Sequence, residues 1–109
     1  MSRILRGDIC SFRPPRTSKG HEQRGARLAV ILQSNEFEWL NTVVVAPTST
    51  VAQAAIFRPE LNVKGKCTRV LVDQVVAADR SRLGAKAGHL APHEMAEVEL
   101  VLGRLFGLT

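Results

Sequence analysis

Apolar residues along the chain come in short runs rich in Val, Ile and Leu, separated by turn-forming residues, a rhythm that predicts a small β-rich domain. Asp8 to Phe12 reads as a first strand. The following "RPPRTSKGHEQRGAR", Arg13 to Arg27, holds two prolines, two glycines and many polar groups, so it is expected to be a long mobile loop. Arg27 to Gln33 and Thr42 to Pro47 read as two central strands, the second strongly β-branched. Pro47 is expected to end its strand and leave Thr48, Ser49 and Thr50 in a loop. Further strands are expected at Ala55 to Leu61, Thr68 to Asp73 and Val75 to Ala78. "DRSRLGAKAG" predicts a turn or short 3₁₀ piece, then a last strand near Lys86 to Leu90.

The period then changes. From Pro92, suited to the first turn of a helix, Met95, Val98, Leu102 and Leu105 recur at helical spacing, with Glu94, Glu97 and Glu99 largely to one side. This predicts one amphipathic C-terminal helix packed on the sheet, with acidic residues near its N-terminal end suiting the helix dipole.

A chain of 109 residues with 45% hydrophobic content is enough for one compact core, so residues 1–109 are expected to form a single domain. The net charge of +5 favours an acidic or polyanionic partner, and its distribution matters more than its size. Arg3, Arg6, Arg13, Arg16, Lys19, Arg24 and Arg27 all precede Leu28, opposed there by Asp8 and Glu22. Two cysteines, Cys10 and Cys67, make neither a zinc motif nor a disulfide framework, and both are read as reduced core residues. Neither a signal-peptide core nor a membrane-length apolar run is visible, so a cytoplasmic protein without membrane association is expected.

The three histidines suggest no metal site; His89 and His93 are separated by Pro92, which opens a new element. A Gly-rich phosphate loop, a GxSxG elbow and a paired-carboxylate motif are also missing from the sequence. What remains is a convergence of polar groups on two loop edges. Glu22, Gln23 and Arg27 lie just before one predicted strand, and Thr48, Ser49 and Thr50 just after another. If those strands are antiparallel neighbours, the two groups share one edge, where Arg27 and Ser49 could face one phosphate. An Arg fork with a hydroxyl beside it suits a pentacoordinate phosphorane; the plainer alternative is a strand cap and a hydroxyl-rich turn.

"RGDIC" at Arg6 to Cys10, "GHEQRGAR" at Gly20 to Arg27, "VVVAPTST" at Val43 to Thr50, "FRPEL" at Phe57 to Leu61 and "VDQVVAADRSRLG" at Val72 to Gly84 resemble, in order, the blocks of the MazF/PemK-like toxins. The segment from Pro92 resembles that family's closing helix. The resemblance covers essentially the whole chain. It implies a β-rich α+β fold, a small SH3-like barrel with a C-terminal helix, working as a homodimer. It implies an endoribonuclease without metal or other cofactor, cleaving single-stranded RNA by attack of the ribose 2′-hydroxyl. The implied products are a 2′,3′-cyclic phosphate and a 5′-hydroxyl, and the implied partner is a cognate antitoxin with an extended acidic tail.

Carried over by motif, Arg27 would stabilise the phosphorane and take part in proton transfer, Ser49 would hold the scissile phosphate, and Glu22 would orient Arg27 or contact RNA. Arg13, Arg16, Lys19, His21, Gln23, Thr48, Thr50 and Gln74 are the further expected RNA contacts. The chain departs from the family pattern at Leu28 (usually proline), Cys10 (usually aromatic), Ser49 (most often threonine) and Val76 (often basic). Ser49 keeps the hydroxyl but lacks the methyl that restrains its rotamer. Aromatics are few, so sequence choice would depend mostly on loop hydrogen bonds; Trp39, in the loop after the second strand, is the aromatic to watch for base stacking, with a partly buried packing role the favoured reading. Two other functions stay open: a gyrase-poisoning toxin on the same barrel, acting through the end of the C-terminal helix, and a non-catalytic RNA-binding barrel.

Overall fold

A computed structural model describes residues 3–13 and 27–109. Among the described residues, seven strands and one long helix follow in the order β1 (Asp8–Phe12), β2 (Arg27–Ile31), β3 (Thr42–Ser49), β4 (Glu60–Val63), β5 (Lys66–Val70), β6 (Val76–Asp79), β7 (Leu83–His89) and α1 (Pro92–Leu105). The strands form one curled antiparallel sheet in the order β4-β5-β3-β2-β1-β7, with β6 also paired to β3. The first strand and the 3₁₀ turn at Arg80–Arg82 fall where the sequence pattern places them.

Side chains in the central strands alternate between the two faces of the sheet, and both faces are buried. Ile9, Val30 and Ala46 join Leu61, Val70, Val72, Leu90, Val98 and Val101 in one core, covered by α1. Cys10, Phe12, Ala29, Ile31, Val43 and Val45 join Ala78 in a second, on the opposite face.

Pro47 does not end its strand. β3 runs through it to Ser49, with Ala29 opposite Pro47 in β2. The N–H and C=O of one strand residue point to the same edge, and Pro47 turns its carbonyl to the Leu71 N–H at 2.8 Å. On that edge β6 pairs with Thr42–Val45 and β5 with Thr48 and Ser49, so the missing donor falls in the gap between two partners. Thr48 and Ser49 are therefore strand residues, and Thr48 is buried.

The expected strand at Ala55 to Leu61 is also corrected. The Arg58 N–H closes a turn on the Ala55 carbonyl at 3.0 Å, Ile56 is 89% exposed, and Pro59 cannot donate, so pairing opens at Glu60. Strand β5 begins at Lys66, not Thr68, and gives way at Val72–Gln74 to a 3₁₀ turn. Cys10 is buried as expected, but Cys67 lies exposed on β5, and neither is bridged. Trp39, 73% exposed, does not pack into a core.

Helix α1 starts with Pro92 in its first turn; Ala91 before it has no capping side chain, and Glu94 Oε1 instead accepts the Ala91 N–H at 2.7 Å. Val98 and Val101 are its buried residues, with Met95 and Leu102 packed beside them; Leu105 of the predicted stripe is exposed. The helix closes at Gly107 (φ +70°), whose N–H bonds to the Arg104 carbonyl while the Leu108 N–H bonds to that of Gly103, the double bond pattern of a Schellman end.

Candidate functional site

Strands β2 and β3 are antiparallel, with Ala29 opposite Pro47, Val30 opposite Ala46 and Ile31 opposite Val45. The same register carried two places further would set Leu28 opposite Thr48 and Arg27 opposite Ser49. The Thr48 hydroxyl donates to the Leu28 carbonyl at 2.8 Å, which pins that alignment. On its other edge Arg27 is opposite Phe12 of β1. The arginine thus leaves from the first residue of a strand paired to β1 at that position and to β3 from Ala29 onward, which limits where its guanidinium can reach.

Ser49 Oγ accepts two backbone N–H groups, from Val51 at 3.1 Å and Ala52 at 3.0 Å. A hydroxyl has two acceptor sites and one donor, so these bonds leave Ser49 its hydrogen to donate outward. Arg27 and Ser49 line one cleft of about 410 Å³, together with Leu28, Thr48, Thr50, Val51, Val63 and Thr68, and Lys64 and Lys66 complete its wall.

Those two lysines sit on the β4–β5 hairpin, where Val63 is opposite Lys66. Lys64 (φ +53°) and Gly65 (φ +83°) are both left-handed, as a two-residue type I′ turn requires, and Asn62 Oδ1 accepts the Gly65 N–H at 3.0 Å. Sequence reasoning missed them. The available signal was "NVKGK", a glycine between two lysines with an apolar residue on the inner side, but the strands around it were misplaced.

A family model for the PemK-like, MazF-like toxins of type II toxin-antitoxin systems matches residues 5–106. The chain belongs to this toxin family. A candidate toxin of Mycobacterium tuberculosis, Rv3098A, is 41% identical over 106 residues, covering 96% of this chain and 99% of that one. The crystal structure of MazF from Deinococcus radiodurans superposes with a TM-score of 0.81 at 25% identity, covering 98% and 99% of the two chains. An endoribonuclease from a mycobacterial species, solved in complex with its cognate antitoxin, superposes with a TM-score of 0.79 at 18% identity, covering 97% of each, a likeness of fold.

In this MazF/PemK-type toxin, Arg27, Ser49, Thr48 and Thr50 come together at one cleft. Thr48 contributes to its floor with the hydroxyl hydrogen already given to Leu28. Arg13 follows β1; its guanidinium bonds to the Ser81 carbonyl and its own carbonyl accepts from Arg82 Nε at 2.6 Å. Gln74 lies in the 3₁₀ turn between β5 and β6 and does not line the cleft. Arg16, Lys19, His21, Glu22 and Gln23 lie outside the described residues.

Away from the cleft, the toxin buries Asp8 at 3% exposure between β1 and β7. Its Oδ1 lies 2.7 Å from His89 Nδ1, and its Oδ2 takes the Leu5 N–H at 2.7 Å and Lys86 Nζ at 3.1 Å. Burial pushes the Asp8 carboxyl up, but the bonds from Leu5, His89 and Lys86 outweigh it and hold the group below the ordinary carboxylate range. Among the described residues, three or more His, Cys, Asp or Glu side chains are nowhere grouped to hold a metal ion, and no helix is long and apolar enough to cross a membrane.

Proposed function

We propose that this toxin is an endoribonuclease that cuts single-stranded RNA at the β2–β3 edge, independently of metal, and so arrests translation and growth in the cytoplasm. The ribose 2′-oxygen attacks the adjacent phosphorus while the bond from phosphorus to the 5′-oxygen breaks. Products are a 2′,3′-cyclic phosphate and a 5′-hydroxyl, and over the reaction one proton passes from the 2′-oxygen to the 5′-oxygen. Arg27 carries the charge of the phosphorane on its fork of N–H donors and takes part in the proton transfer; Ser49 holds the scissile phosphate through its hydroxyl hydrogen. Glu22 orients Arg27 or contacts the RNA.

One observation carries this reading: Arg27 lines the same cleft as a serine whose oxygen accepts the Val51 and Ala52 N–H groups, which sets a guanidinium and a committed hydroxyl donor at one place. A hydroxyl-rich turn serving structure alone would not need an arginine on the same cleft. The family relation and an endoribonuclease of the same fold support the same reaction class. An antitoxin with an acidic tail and assembly as a homodimer complete the proposal.

Incubation of the protein with single-stranded RNA in excess chelator should give cyclic-phosphate ends. Arg27→Ala should lower kcat by about 100-fold or more, the usual cost of losing one transition-state donor, without unfolding the protein. A folded Arg27→Ala variant of full activity would refute the assignment. An inactive wild type that stalls gyrase would favour the protein-poisoning function instead.

A further inference from the structure

We propose that Lys64 and Lys66 form a second phosphate subsite, which holds a phosphodiester of the RNA beside the one cut between Arg27 and Ser49. The ligand's identity rests on the ribonuclease reading above; the place of the subsite rests on the cleft itself.

Most described cations are already engaged. Arg3 pairs with Glu38, Arg6 with Glu99, Arg58 with Asp73, Arg69 with Glu60 and Lys86 with Asp8. Arg13, Arg80 and Arg82 are spent on backbone carbonyls. Lys64 and Lys66 make no ion pair among the described residues, and both face the cleft of Arg27 and Ser49. Two ammonium groups without an ion pair among the described residues, on the same cleft as Arg27, raise the local potential for a polyanion.

The floor between them cannot take over that task. Thr48 donates to the Leu28 carbonyl and Thr68 to the Lys66 carbonyl at 3.2 Å, so both buried hydroxyls turn oxygen, not hydrogen, toward an anion. Anion binding at that end of the cleft therefore falls to the lysines.

The spacing also fits. Ser49 is opposite Arg69 in β5, and Lys66 lies three residues further along that strand, a run of about 10 Å. That separation is within reach of a phosphate one or two nucleotides away in an extended strand. Lys64 occupies a left-handed position, φ +53°, where asparagine or glycine would be less strained, and the hairpin keeps a charged side chain there.

The test uses a single-stranded RNA oligonucleotide blocked by 2′-O-methylation at the cleavage site. Its binding is compared between wild type and a double variant, Lys64→Asn with Lys66→Gln. Asparagine suits the left-handed turn, so the hairpin is not weakened by the change. The expected result is about a fivefold or larger rise in Kd, with a salt slope shallower by about 1.4, two contacts at about 0.7 each. On cleavable RNA, KM should rise while kcat changes less than about twofold, and replacing a single phosphodiester by uncharged methylphosphonate should abolish the variant's penalty at one position.

Unchanged affinity and slope, or a fall in kcat at unchanged Kd, would overturn the subsite, even with RNA cleavage intact. Weaker binding of a polyglutamate peptide with RNA binding unchanged would overturn it too and mark the lysines as an acidic-peptide contact. Wild-type protein that does not bind the RNA would overturn the subsite and the ribonuclease reading together, whereas an active Arg27→Ala variant with the lysine effect intact would overturn that catalytic assignment alone.

Discussion

Ser49 performs two tasks with one oxygen. Its lone pairs close the turn through the Val51 and Ala52 N–H groups, and its hydrogen is left to donate. Removing the hydroxyl frees those two N–H groups, but Val51 is exposed and water can replace the lost acceptor, so the stability cost of Ser49→Ala should be about 1 kcal/mol or less. Activity should suffer more. In single-turnover cleavage, Ser49→Ala is expected to be slower by about 10-fold to 100-fold, a smaller loss than for Arg27→Ala. Ser49→Thr should match or exceed wild type, because the added methyl restricts the rotamer while the hydroxyl stays. A Ser49→Ala variant as fast as wild type would remove the residue from the reaction and leave it a turn former.

At the scale of elements, Asp8 fastens β1 to β7 by meeting His89 and Lys86 of that strand and the Leu5 N–H. A carboxylate held below its ordinary range contributes stability that is complete above its unfolded value, near 3.8, and is lost as pH falls through the lower folded value. Asp8→Asn should therefore cost about 2 kcal/mol in urea unfolding at pH 7, the scale of hydrogen bonds to a charged group, and the two proteins should converge as pH falls below about 4. A difference that stays constant as the pH is lowered would mean that the charge of Asp8 is not its source. Strand β1, the start of β2 and α1 were legible in the sequence because local pattern marks each of them, whereas the β2–β3 pairing entered only as an assumption. The stretch around Ala55 to Leu61 was not, because its apolar residues Ile56 and Phe57 are exposed on a turn and imitate a strand pattern. The same reason divides the site. Arg27 and Ser49 could be brought together by assuming antiparallel neighbours, whereas Lys64 and Lys66 reach the cleft only because β4 and β5 fold back as a tight hairpin beside the end of β3.

Across the whole molecule, positive charge is a matter of placement more than of amount. The net +5 includes arginines that pair with Glu38, Glu99, Asp73 and Glu60 and so hold parts of the structure together. Among the described residues the lysines of the cleft do not pair in this way, which adds to the attraction for an acidic chain where the RNA is proposed to lie. An antitoxin tail rich in Glu and Asp would then inhibit by occupying the substrate path, without any change in the barrel. A synthetic acidic peptide should raise KM for RNA cleavage and leave kcat unchanged, while the same peptide with Gln in place of Glu and Asn in place of Asp should have little effect at equal concentration. A fall in kcat at constant KM would place the acidic chain on another surface, and inhibition that survives neutralisation of the peptide would make apolar contacts, not the basic cleft, the basis of recognition.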